Sequence, residues 1–121
     1  MRKPPIYKSI LIAFKGTFLM IKSERNFKIE CIAFLINIFL IFYLGLSKID
    51  ALLIFMVCLS VLCIETINTA IEKLCDIIQP DFDTRIAFIK DIAAGAVAFM
   101  ILLSIIVGGC IYWDYIAFCF I

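Results

Sequence analysis

Histidine is absent from this chain of 121 residues. That excludes imidazole bases, histidine metal sites and catalytic triads, and leaves proton transfer to carboxylates, lysine or water. Glycine and proline are scarce, at five and three residues. No GxxxxGK[ST] loop, GxGxxG turn or kinase-type catalytic loop occurs, so no soluble nucleotide-binding fold is encoded. The six cysteines (31, 58, 63, 75, 110 and 119) form no CxxC pair and lie mostly in apolar runs. They read as small core or lipid-facing side chains. The net charge is only +1, and no nucleic-acid partner is implied.

What is present is apolar. Hydrophobic side chains make up 65% of the chain, against roughly half in soluble domains. This composition predicts a small all-α membrane protein forming a single domain over 1–121. The expected spans are about 29–47, 51–78 and 91–113, each long enough to cross a hydrocarbon core. Seven basic residues, at 2, 3, 8, 15, 22, 25 and 28, precede the first span, and Lys73, Arg85 and Lys90 lie near the connection between the second and third. Lys48 alone falls in the other loop, so the positive-inside rule predicts a cytoplasmic N-terminus and an external C-terminus. No cleavable signal peptide is expected, because the N-terminal segment lacks a compact apolar core followed by a small-residue cleavage site.

The second span carries the unusual pattern. Glu65, Asn68, Thr69, Glu72 and Asp76 stand at offsets 0, 3, 4, 7 and 11, which places them on one helical stripe roughly 100° wide. Ile64, Ile67, Ile71 and Leu74 occupy the rest of that surface. Three carboxylates on one stripe repel one another and resist desolvation, so a membrane helix should carry them only for a cation or a reaction. Glu65 lies two turns deeper than Glu72, about 10 Å along the axis. A lipid hydroxyl in the membrane could there meet a phosphate arriving from water.

Upstream, Pro4 and Pro5 mark the entry to a helix over about 6–22 in which Lys8, Lys15 and Lys22 form one basic line. Anionic headgroups on a membrane surface explain such a line; the alternative is that Lys15 and Gly16 approach a nucleotide. In the charged segment that follows, Glu24 and Glu30 stand out, since a carboxylate level with Glu72 could complete a divalent metal site and Mg²⁺ favours a few carboxylates plus water and phosphate oxygens. Asn37, isolated in the first span, is expected to form an interhelical hydrogen bond. Ala93-Ala94-Gly95-Ala96 and Gly108-Gly109 are expected to permit close helix contact.

Glu65-Thr66-Ile67-Asn68-Thr69-Ala70-Ile71-Glu72-Lys73, then Asp76 and Lys90-Asp91-Ile92-Ala93-Ala94-Gly95-Ala96-Val97, preceded by Glu24-Arg25-Asn26-Phe27-Lys28-Ile29-Glu30, resemble the signature of the prokaryotic diacylglycerol kinase and undecaprenol kinase family. The resemblance covers nearly the whole chain and is nearer to the undecaprenol kinase branch. It implies a homotrimer in the bacterial inner membrane that uses MgATP to phosphorylate a lipid alcohol, undecaprenol in preference to diacylglycerol, at the cytoplasmic face. By the same resemblance Glu65 would be the general base and Asn68 would hold it in place. Glu24 and Glu72 would bind Mg²⁺ and with it ATP, Lys90 would neutralise the transferring phosphoryl group, and Asp91 would contact the adenine. Glu30, Thr69 and Asp76 would bind substrate or support the site. Two positions depart from the pattern: Asp81-Phe82-Asp83-Thr84 lacks the histidine that often follows the aromatic residue, and Ile12 stands where some members carry an aromatic. The competing reading is a non-enzymatic membrane scaffold or cation-binding transporter subunit, with Asn68 and Thr69 as interhelical ties and Lys90-Asp91 as a helix-end ion pair.

Overall fold

The computed structural model describes residues 2–120. Four helices follow one another: α1 Ile6–Ser23, α2 Arg25–Leu44, α3 Lys48–Ile78 and α4 Thr84–Phe120. The described residues contain no strand, and α2, α3 and α4 are each long and apolar enough to cross a membrane. At 1.5 Å per residue α3 and α4 measure about 46 and 56 Å, so both outrun a hydrocarbon core of about 30 Å.

Local chemistry sets the helix ends. Gly45 adopts the left-handed conformation, φ 65° and ψ 48°, which costs glycine least and closes α2. Two residues later the Ser47 hydroxyl accepts from the Asp50 amide at 3.2 Å and caps α3. Beyond Ile78, Pro80 has no amide hydrogen to continue a helix. Asp83 then opens α4, its carboxylate accepting from the Arg85 amide at 2.8 Å and pairing with the Arg85 guanidinium at 3.0 Å. That guanidinium holds the Asp83 carboxyl below its ordinary value. The cap is therefore present at neutral pH and is lost on acidification through the lowered folded-state value.

The tight Gly45 turn makes α2 and α3 an antiparallel hairpin, and α4 packs along α3. The start of α2, the end of α3 and the start of α4 consequently share one end of the bundle. Asn37 forms the expected interhelical bond: the Tyr112 hydroxyl donates to its carboxamide oxygen at 2.7 Å. Nearer the Gly45 turn, the Tyr115 hydroxyl donates to Asp50 and accepts from the Ser47 amide, each at 2.8 Å. Few side chains are buried, chiefly Phe27, Ile54, Val61, Cys75 and Val97. The accessible surface is 9435 Å², well above the roughly 6,600 Å² of a compact soluble protein of this mass.

The glycines of the small-residue runs make no close helix contact within the chain. A Cβ placed at Gly95, Gly108 or Gly109 meets nothing within 4 Å, because α4 reaches its neighbours through other residues and leaves these positions open. Tyr115→Phe removes both bonds of its hydroxyl and should lower the unfolding free energy by about 1 kcal/mol, read by denaturant titration in detergent. No change would mean the network contributes nothing to stability.

Candidate active site

Glu65, Asn68 and Thr69 are the buried polar residues among those described, 7%, 7% and 6% exposed. Helical period aligns them on α3 and the hairpin turns that face toward α2. Glu72, one turn beyond Asn68, accepts from its carboxamide nitrogen at 3.1 Å. The Asn68 carboxamide oxygen is buried without a partner. Glu30 of α2 interacts directly with Glu65, and Glu24 and Glu72 both lie close enough to Glu65 to act on it electrostatically. Glu30 of α2, Glu65 and Glu72 of α3, and Glu24 at the junction of α1 and α2 thus lie near one another at the end of the bundle where α4 begins.

Cations stand around this cluster. Lys73 pairs with Glu24 at 3.6 Å, tying the end of α3 to the junction of α1 and α2. Lys90 of α4 binds Asp76 of α3 at 2.5 Å. The helix-end pair between Lys90 and Asp91 is not formed, because the Lys90 ammonium is turned toward α3 and Asp91 lies exposed one position on. Lys15 and Gly16 sit in the middle of α1, both exposed. Among the described residues neither is joined to the cluster by a hydrogen bond or ion pair. Sequence reasoning assigned no role to Lys73, although it lies in the quoted signature.

From the cluster a half-enclosed cavity of about 550 Å³ runs between α2, α3 and α4, with Asn26, Glu30 and Glu65 at its polar end and mostly apolar walls. Glu30 also keeps one buried carboxylate oxygen without a hydrogen-bond donor. The cluster therefore presents acceptors and almost no donors, which suits a hydroxyl entering from the cavity and a cation entering from water. Among the described residues no three metal-ligating side chains converge on one point. Glu24 and Glu72 are hard oxygen donors of the kind that Mg²⁺ takes alongside phosphate oxygens and water.

Three membrane-length helices and an acidic site at the head of an apolar cavity define the class: a small helical membrane protein built to act on something that the bilayer presents. The chain belongs to the prokaryotic diacylglycerol kinase family, whose model matches residues 11–112. It is 32% identical over 102 residues to an undecaprenol kinase of Bacillus subtilis (strain 168), covering 84% of this chain and 83% of that one. It is also 28% identical over 109 residues to a diacylglycerol kinase of Synechocystis sp. (strain ATCC 27184 / PCC 6803 / Kazusa), covering 89% of this chain and 62% of that protein.

Crowded carboxylates destabilise a fold that nothing has yet neutralised. Glu65→Gln should therefore raise the unfolding free energy of the ligand-free protein, by on the order of 1 kcal/mol. A loss of stability of that size in the same denaturant titration would show that the Glu65 charge holds the fold together.

Proposed function

We propose that this chain is an ATP-dependent kinase of a membrane lipid alcohol, with undecaprenol favoured over diacylglycerol as acceptor. The observation that carries the reading is the position of Glu65. It is buried at the head of an apolar cavity and surrounded by three further carboxylates, in a chain whose family consists of lipid kinases. The greater identity to the undecaprenol kinase relative, and the larger share of that relative's own length that is covered, favour that acceptor.

The lipid hydroxyl enters from the cavity and donates to Glu65. As its oxygen bonds to the γ-phosphorus of ATP, the bond from that phosphorus to the β-γ bridging oxygen breaks, ADP departs, and the hydroxyl proton passes to Glu65. A carboxylate is a weak base toward an alcohol, so proton transfer falls late and the rate rests on alignment and charge neutralisation. Asn68, bonded to Glu72, holds Glu65 and the reacting groups in place. Glu24 and Glu72 hold Mg²⁺, which supplies neutralisation of the ATP phosphates. Lys90, positioned by Asp76, neutralises the transferring group, and Asp91 reaches the adenine. Thr69 and Glu30 support the acceptor end, while Lys15 and Gly16 approach the nucleotide from α1.

In this reading α1 lies on the cytoplasmic surface of the bacterial inner membrane, with Tyr7, Leu11, Phe14 and Phe18 toward lipid and its lysines at the headgroups. The site then faces ATP, with the N-terminus inside and the C-terminus outside. The whole chain acts as one domain. The exposed apolar surface of α2, α3 and α4 supports assembly as a homotrimer, in which neighbouring copies shield a site that the three helices of one copy leave open.

Two variants test the roles separately. Glu65→Gln should assemble as the wild type does while losing at least about a thousandfold in turnover, the scale of losing a general base together with an aligning group. Glu72→Gln should raise the Mg²⁺ concentration needed for half-maximal rate. Normal turnover in the first variant, or unchanged metal dependence in the second, would remove the corresponding role.

A further inference from the structure

Glu24 is the one residue between α1 and α2, with φ −111° and ψ 116° in the extended region. From such a position an acidic side chain is favoured by the first amides of the helix that follows. It makes no such bond here, for no side chain caps α2. The Glu24 carboxylate reaches instead across to α3, where the Lys73 ammonium stands at 3.6 Å. That separation is too long for a hydrogen bond, so charge alone holds the pair. The ion pair between α3 and α4 is different in kind, since Lys90 donates to Asp76 at 2.5 Å. Lys90 is fixed, and Lys73 is loose. The Lys73 side chain is 68% exposed, and an ion pair that water reaches is weak enough to be exchanged.

We propose that Lys73 is a tethered stand-in for the divalent ion: it neutralises Glu24 before the ion binds, yields that carboxylate when the ion arrives, and turns to the phosphates that come with it. This rests on the lipid kinase reading and adds to it a residue that positions the nucleotide. A divalent ion carries twice the charge of an ammonium and takes carboxylate oxygens directly, so it displaces Lys73 from Glu24. Once bound it repels the ammonium, and the polyphosphate held by the same ion is the anion to which the ammonium moves. The flexible lysine stem allows that movement. Lys73 also follows Glu72 in the chain, about 100° further around α3, so its charge enters from the edge of the acidic stripe and leaves the Glu72 carboxylate free for the ion. No covalent bond changes; one cation replaces another.

The two halves of this exchange have opposite signs, which a purely structural role does not reproduce. Lys73→Met leaves Glu24 without its competitor. Mn²⁺ alone, followed by the electron paramagnetic resonance of the free ion, should therefore bind this variant about threefold more tightly than the wild type in nanodiscs of neutral phosphatidylcholine. The same variant should raise the KM for ATP at least about fivefold, the scale of losing one contact to a charged group, with the fall in kcat smaller than the rise in KM. Lys73→Arg keeps the charge and should follow the wild type in both readings. A mere tie between α3 and the α1–α2 junction would loosen the site on removal and weaken Mn²⁺ instead. Mn²⁺ affinity unchanged or lowered in Lys73→Met, an equal gain in Lys73→Arg, or an unchanged KM for ATP overturns the proposal.

Failure of the kinase reading has its own signature. Tighter Mn²⁺ in Lys73→Met, with no label passing from ATP to any lipid in the wild type, would keep the stand-in at Glu24 and remove the kinase. Labelled lipid phosphate with equal Mn²⁺ affinity in all three proteins would do the reverse.

Discussion

Like charges gathered where water is scarce are the constraint around which this chain is arranged. Glu24, Glu30, Glu65 and Glu72 stand together at one end of the bundle, and their mutual repulsion grows as the surrounding dielectric falls. Such a group persists only if it is matched by a cation or used in a reaction. The lysines nearby moderate the repulsion without removing it, since Lys73 engages Glu24 and Lys90 engages Asp76, while Glu65 and Glu30 have no cationic partner among the described residues. The site is thus held open to charge arriving from outside.

Holding that arrangement requires rigidity elsewhere. At the opposite end, Tyr115 ties Asp50 and the Ser47 amide to α4, and midway Tyr112 ties α4 to α2. Together with the Gly45 turn, these contacts fix the rotation of each helix. A rotation of one residue position would carry Glu65 about 100° away from Glu30.

Much of this was legible in the sequence because it depends on period alone. The stripe from Glu65 to Asp76 needs only 3.6 residues per turn, and the three long apolar helices need only composition and length. Asn37 was legible as a bonding residue because an isolated carboxamide in an apolar run needs a partner. Its partner was not, since the choice of Tyr112 depends on how α4 is rotated against α2. The same holds for the pairing of Lys90 with Asp76 rather than Asp91, and for Lys73 with Glu24: each spans two helices whose relative register is absent from either segment. The glycines misled for a related reason. Small side chains mark a surface that can be approached closely, and within this chain no helix makes that approach at Gly95, Gly108 or Gly109.

The central claim is that the carboxylate cluster is the place where a lipid hydroxyl from the membrane meets a phosphoryl group from water. Its most direct measurement follows label from the γ-phosphate of ATP with the purified protein in nanodiscs, offering undecaprenol and diacylglycerol side by side. The account predicts labelled lipid phosphate, formed preferentially from undecaprenol and dependent on a divalent ion. Label released only as inorganic phosphate, or never released, would contradict it and turn the cluster into a cation-binding site of a membrane scaffold.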